Sequence, residues 1–291
     1  MRILILGANG ILGHTLFLYI RNYFRDVELL GLCGKKLEGT NFKKEYFSNL
    51  VEMDLLNSGS LDNLIRKFNP DFVINCSVKK QLSNSDYRIV DSIYINSILP
   101  HNISNLTFTN KFKFIHISTD SVFGNFGKNK NEESELIVQD LYSASKALGE
   151  PINLSTIVLR TSLIGHSLTG DTGLIDWVMR QNIISGYDNH IFAGITSLEL
   201  SKIICLIIFS NKFNSGTYHI SGKSISKYEL IKLMVEIYNL DVNLIKETSG
   251  AVDRSLSSDK FQNQFNYNPS DWLTLLTELK SFNTQNKFLY G

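Results

Sequence analysis

The chain has 291 residues, 43% hydrophobic and 20% charged, which is the balance of an ordinary globular protein rather than a disordered or fibrous one. It exceeds the ~100–200 residues usual for one domain, so a large α/β unit, alone or with a smaller lobe, is expected. Twenty-nine Lys and Arg against 28 Asp and Glu leave a formal net charge of +1. No positive excess meets a nucleic-acid backbone or an anionic membrane, so neither partner is expected. The three cysteines are odd in number and widely spaced, matching neither a disulfide framework nor a zinc site. The apolar start is too short for a signal peptide, and the run 203–209 falls far short of the ~20 residues that span a bilayer. A reducing, cytoplasmic setting follows as the expectation.

In chain order, residues 2–6 read as a buried strand running into Gly7-Ala8-Asn9-Gly10-Ile11-Leu12-Gly13, and 12–23 carries helical apolar spacing. Glycines between strand and helix allow a tight turn and let a pyrophosphate approach the helix N–H groups. Gly7, Asn9, Gly10, Ile11, Leu12 and Gly13 are therefore candidate cofactor contacts, with a purely structural turn as the alternative, since the spacing is G-x-x-G-x-x-G. Residues 27–32 read as the second strand. NAD sites usually place an acid about 20 residues beyond the glycines, to grip the ribose 2′-hydroxyl. Here the strand ends in Gly31-Leu32-Cys33-Gly34-Lys35-Lys36. Lys35 and Lys36 would attract a 2′-phosphate, favouring NADP(H) over NAD(H), unless they are solvated loop charges.

The third strand, 50–53, leads to Asp54, placed to reach an adenine ring or to cap a helix. A helix at 61–68 is broken by Pro70, and a strand at 72–75 ends at Asn75 and Cys76, both grouped with the cofactor residues. The same reading takes Cys76 and Cys205 as small buried apolar residues. A helix at 89–106, strands at 113–117 and 157–163, and a helical segment at 142–150 complete a strand–helix alternation that implies a parallel, doubly wound sheet. Residues 198–209 (helix) and 217–220 (strand) could return to that sheet. The expected division is therefore a Rossmann domain of 1–165 plus 193–222, and a smaller substrate-binding lobe of 166–192 and 223–291. That lobe holds helices near 227–238 and 270–280. Trp177, Tyr187 and Phe192 could stack on a base or fill the lobe's core, and at least two are expected in the core.

Tyr142-Ser143-Ala144-Ser145-Lys146 puts a phenol and an ammonium one turn apart on one helix face. A tyrosine with pKa near ~10 needs a nearby positive charge to exchange a proton with a carbonyl oxygen near neutrality. Lys146 can supply it. The segment Ser118-Thr119-Asp120-Ser121-Val122-Phe123-Gly124 follows the fifth strand, at the carboxyl edge where ligands bind in this architecture. The Thr119 hydroxyl could there orient a substrate carbonyl beside Tyr142. A Ser/Thr capping turn explains the polarity but not its coincidence with the glycine loop and the Tyr/Lys pair.

On GANGILG (7–13), Asn75, Tyr94-Ile95-Asn96, HISTDSVFG (116–124), YSASK (142–146), VLRTSLIG (158–165) and Asp253-Arg254-Ser255, the chain resembles the extended short-chain dehydrogenase/reductase family. Within it, the dTDP-4-dehydrorhamnose reductase group is the most similar. The resemblance implies Thr119, Tyr142 and Lys146 as the catalytic triad. It also implies Asn96, Ser121 and Arg254 at the substrate, Arg254 holding a nucleotide diphosphate. The implied reaction is reduction of a 4-keto group on a nucleotide-activated deoxysugar, for surface polysaccharide, with a homodimer as candidate assembly. Dehydratases of the superfamily carry Asp-Glu after the threonine, and epimerase-reductases a cysteine two residues beyond it, with a histidine after the sixth strand. Here these positions read Asp120-Ser121, with His166 near the last. A 4-epimerase and a non-catalytic NADP(H)-binding regulatory subunit remain the alternatives. Ser121 stands where the reductases share an aromatic residue, and 170–177 matches their substrate lobe poorly.

Overall fold

The computed structural model describes residues 1–34, 42, 45–79, 89–125, 127–168, 173–210 and 212–287. Its centre is a seven-stranded sheet built from β1 (Arg2–Leu6), β2 (Glu28–Cys33), β3 (Leu50–Glu52), β4 (Phe72–Asn75), β5 (Lys113–Thr119), β6 (Thr156–Thr161) and β7 (Gly216–His219). The spatial order is β7-β6-β5-β4-β1-β2-β3, and every pairing is parallel. This is the doubly wound Rossmann arrangement. The strand order reverses between β1 and β4, so a crevice opens at their carboxyl ends.

The strands are continuous apolar runs because helices cover both faces of the sheet. In β1 the pleat sends Ile3 and Ile5 into a cluster with Leu16 and Phe17 of α1 (Ile11–Tyr23), Ile204 of α5 (Ser197–Phe209) and Leu276 of α7 (Trp272–Gln285). Leu4 and Leu6 face the other way, onto Leu61 and Ile65 of α2 (Ser58–Phe68) and Ile103 of α3. Helix α3 is continuous over Ile89–Ile93, Tyr94–Ile98 and Leu99–Leu106, with its middle segment wound as a π-helix. Asn69 ends α2 in the left-handed conformation (φ 49°), and Pro70 then prevents helical continuation into β4.

Two expected boundaries differ. The strand read at 157–163 stops at Thr161, and Leu163–Ile164 forms a separate short pair with Ile195–Thr196, the strand leading into α5. The last helix starts at Trp272, because Asp271 accepts the Thr274 N–H and caps it there. Outside the central sheet lie helix α6 (Lys227–Tyr238) and two small sheets, which pair Asn243–Glu247 with Ile183–Tyr187 and set His190–Phe192 between Ile225–Ser226 and Val252–Asp253. The aromatic expectation for this region is corrected. Trp177 and Tyr187 are exposed, Tyr187 stacking on His190 at 4.4 Å, and only Phe192 packs inward, on Trp272. Their strands and helix are short and lie at the periphery, so the core beneath them is filled by aliphatic residues such as Ile184 and Leu230. No helix of the described residues is long and apolar enough to cross a membrane.

Candidate active site

The glycine loop links β1 to α1 in a conformation its sequence requires. Gly7 has φ +73°, and a Cβ there would lie 2.8 Å from the Ser77 backbone. A Cβ on Gly13 would lie 2.0 Å from the Gly7 carbonyl oxygen. Gly10 caps α1 without a side-chain bond, so the first-turn N–H groups meet no capping oxygen from it. Beside the loop lies a cleft of about 530 Å³, lined by Gly7, Asn9, Gly10 and Cys33, by Asp54 after β3, and by Cys76 and Ser77 after β4. A bare loop, an uncapped helix start and a cleft at the sheet's switch point fit a dinucleotide. Asp54 lines that cleft while accepting the Leu56 N–H at 3.0 Å. Ile11 starts the helix with its side chain beside Gly165 and Gly173, and Leu12 is buried in the core. Lys35 and Lys36 lie outside the described residues.

The second half of the site is built on β5 and on α4 (Leu141–Leu148). A reciprocal capping box starts α4 one residue ahead of Tyr142. Asp140 accepts the Ser143 N–H at 2.7 Å, and the Ser143 hydroxyl accepts the Asp140 N–H at 3.1 Å. Thr119 ends β5, where its hydroxyl accepts the Ser121 N–H at 3.2 Å and its side chain acts on the Tyr142 phenol. The threonine is thus both the cap of a short turn and a neighbour of the tyrosine. Burial pushes the Tyr142 phenol up to about 12. The Thr119 side chain pulls it down, and Asp120 and Asp140 raise it further. Ser121 sits with its hydroxyl 3.1 Å from that of Thr119.

Lys146 is almost fully buried. Its Nζ donates to the Ile117 carbonyl at 2.6 Å and lies 3.3 Å from Nε2 of His116. Burial lowers its pKa to about 8, against the pull of Glu150 and Cys76. Burial also raises the Cys76 thiol to about 12.

Two residues grouped with the ligands act here as internal braces. Asn75 is wholly buried between Ser77 and His116. Asn96, in the π-helical segment, exchanges two 2.9 Å bonds with the Lys79 backbone and donates to Ser145 of α4. The far end of α4 is anchored by a buried ion pair, Arg160 Nη2 to Glu150 Oε2 at 2.7 Å, with Ser118 donating to the same carboxylate. Arg254 is held by Asn125, just beyond the β5 motif, and its charge acts on Asp120.

The residue-type reading passed over two buried groups. Asp120 lies beside Thr119; burial raises its pKa, while Arg254, Thr119 and Ser162 pull it down. His116 touches Lys146 directly. Both stand in the segment 116–124, but their polarity there signals a turn as readily as a site. His166 hydrogen-bonds Asp176 and the Tyr238 hydroxyl, tying the segment after β6 to α6.

Residues 1–180 match the family model described as the RmlD substrate binding domain. The dTDP-4-dehydrorhamnose reductase of Aggregatibacter actinomycetemcomitans is 22% identical, over 97% of this chain and 99% of that protein. Among solved structures, the dTDP-4-dehydrorhamnose reductase of Bacillus anthracis in complex with NADP superposes with a TM-score of 0.77 at 22% identity, covering 96% of this chain and 98% of the other. The dTDP-glucose 4,6-dehydratase of the same organism, in complex with NAD, gives 0.79 at 18% identity over 100% and 98%. One fold therefore serves both chemistries, and the superpositions by themselves speak to the fold.

Proposed function

Because this chain belongs to the family of the RmlD substrate binding domain, we propose that it is an NAD(P)H-dependent oxidoreductase. It reduces the 4-keto group of a nucleotide-activated deoxysugar, in the manner of a dTDP-4-dehydrorhamnose reductase, for surface polysaccharide synthesis in the cytoplasm. The observation that carries the reading is the meeting of Thr119 and Tyr142 at the carboxyl edge of the sheet, one turn from Lys146 and beside a cleft formed by the glycine loop.

When bound, a reduced nicotinamide dinucleotide supplies hydride-donor chemistry. Gly7, Asn9, Gly10 and Gly13 would hold its diphosphate, with Asp54 and Cys76 along the cleft and Lys35 and Lys36 favouring NADP(H) over NAD(H). Tyr142 holds a proton on its phenol oxygen and gives it to the carbonyl oxygen as charge develops there. Its high proton affinity keeps the acid loaded through neutral pH. Thr119 and Ser121 orient that oxygen, and Arg254 meets the substrate diphosphate. We assign 1–165 and 193–222 to the cofactor and 166–192 and 223–291 to the substrate. Asn96 serves the substrate by fixing α4.

Loss of NADPH absorbance with a panel of 4-keto nucleotide sugars is the test. Turnover of at least one is expected, while tight NADPH binding without any turnover would overturn the reading.

A further inference from the structure

Outside the central sheet, the small three-stranded sheet brings two cations to one level. Ile191, in its middle strand, is paired with Ser226 on one side and with Asp253 on the other. The residues that follow these two are Lys227, the first of α6, and Arg254, whose backbone N–H donates to the Ile191 carbonyl at 3.3 Å. Asn125 fixes the arginine. Its Oδ1 accepts from Arg254 Nε at 2.9 Å and from Nη2 at 2.5 Å, and its backbone carbonyl accepts the Asp253 N–H at 2.9 Å. Asn125 stands six residues beyond Thr119, so the guanidinium is tied to the chain that carries the hydroxyl beside Tyr142.

Neither cation has a carboxylate of its own. Among the described residues the Lys227 ammonium forms no hydrogen bond or ion pair, and the Arg254 side chain bonds only Asn125. The acids nearest to them along the chain are committed elsewhere. Asp188 is taken by Lys246 at 2.8 Å and by the Ser226 hydroxyl at 3.1 Å, and Asp253 by the Ser255 N–H at 2.9 Å and hydroxyl at 2.6 Å. Asp120, which accepts from the Thr119 hydroxyl at 3.2 Å, acts on both cations, but burial favours its protonated form. The surrounding protein and then Arg254 lower the proton affinity of Lys227, and both cations lower that of His190. A lysine on a flexible stem that served only to meet water would turn away from a guanidinium. Here register and the start of α6 keep it within the arginine's field, an arrangement that an anion with two charged groups relieves.

We propose that Lys227 is the second cation of a diphosphate site, gripping one phosphate of the nucleotide-activated sugar while Arg254, aimed by Asn125, grips the other. The inference rests on the nucleotide-sugar reading given above. Arg254 offers a planar fork to phosphate oxygens, and Lys227 a point charge that follows them. Because Asp120 is bonded to Thr119 and feels both cations, the site adjoins the place of the reacting carbonyl.

The test is calorimetric titration of the full chain, loaded with NADP+ so that the glycine loop is occupied, with inorganic pyrophosphate. Binding is expected, and Lys227→Met should weaken it about tenfold or more, whereas Lys227→Arg should stay within about threefold of the unmodified protein. The NADP+ affinity of both variants should be unchanged. No pyrophosphate binding, an affinity unaltered by Lys227→Met, or an equal loss for NADP+ would overturn the proposal. In the second arm, with any 4-keto nucleotide sugar that is turned over, Lys227→Met should raise KM about tenfold and leave kcat within about twofold, as loss of uniform binding does. A fall in kcat at constant KM, or no change in either, counts against it. The two readings fail separately. Pyrophosphate binding that depends on Lys227, with no nucleotide sugar reduced, overturns the proposed function alone; turnover indifferent to Lys227→Met overturns the diphosphate role alone.

Discussion

Thr119 and Tyr142, on different elements 23 positions apart, stand close enough for the Thr119 side chain to lower the phenol's proton affinity, because β5 ends where α4 begins its first turn against it. The strand end fixes the hydroxyl through its bond to the Ser121 N–H, and the capping box of Asp140 and Ser143 fixes the helix that carries the phenol. Neither residue needs the substrate to find the other. Such preorganisation is what proton transfer to a carbonyl oxygen demands.

Replacing Tyr142 with Phe removes the proton and leaves the ring. The kcat with the best 4-keto nucleotide sugar should fall by about 10²–10⁴. NADPH affinity, measured by fluorescence titration, should stay within about twofold, since the ring keeps its packing. A rate near that of the unmodified protein would remove Tyr142 from its role.

A methyl group at Gly13 meets backbone, not a side chain that could swing away, at 2.0 Å from the Gly7 carbonyl oxygen. Gly13→Ala should therefore displace the turn and weaken NADPH binding more than tenfold, with the far-UV circular dichroism retained. Unchanged affinity would mean that the loop does not hold the diphosphate.

The Arg160–Glu150 pair is buried, with each side chain 8% exposed, and Arg160 also lies over the Phe123 ring at 5.2 Å. Arg160→Met leaves a buried carboxylate uncompensated and should cost about 3–5 kcal/mol. The double variant Arg160→Met with Glu150→Leu should recover part of that loss. Urea titrations of the three proteins check both statements.

Burial holds His14 and His219 near pKa 4 instead of 6.5. The unfolded chain takes up these protons as pH falls through about 6.5, and the folded chain only near about 4. Stability is therefore complete above the upper value and declines as pH drops toward the lower, by up to about 3 kcal/mol for each histidine. The melting temperature should follow that fall between neutral pH and about pH 4. His219→Gln should flatten it; an unchanged slope would assign the loss to other groups.

Short continuous apolar runs and period-3.6 apolar patterns made the strands and helices of the first 165 residues legible, because each pattern reports burial on the element's own faces. The aromatics of the peripheral region were not. Trp177 and Tyr187 carry the composition of a core, but exposure depends on what packs opposite, and there nothing covers them deeply. For Asn75 and Asn96 the chain order suggested ligand contacts but not the bonds their amides make to Ser77, His116, Lys79 and Ser145, which only the fold brings within reach.

What the amino-acid order determined by itself is the set of local devices: the glycine turn, the Asp140–Ser143 cap, the Tyr142/Lys146 spacing and the alternation that builds a parallel sheet. These depend on residues within a few positions of one another, where backbone sterics and helix periodicity decide the outcome. The tertiary structure alone decided which way Lys146 turns. Its Nζ meets Ile117 and His116 from β5, about 30 residues away in sequence, inside a core where water cannot stand in for a missing partner. A buried polar group takes the partner that the fold brings within reach, and that partner can be named only once the strands are in register.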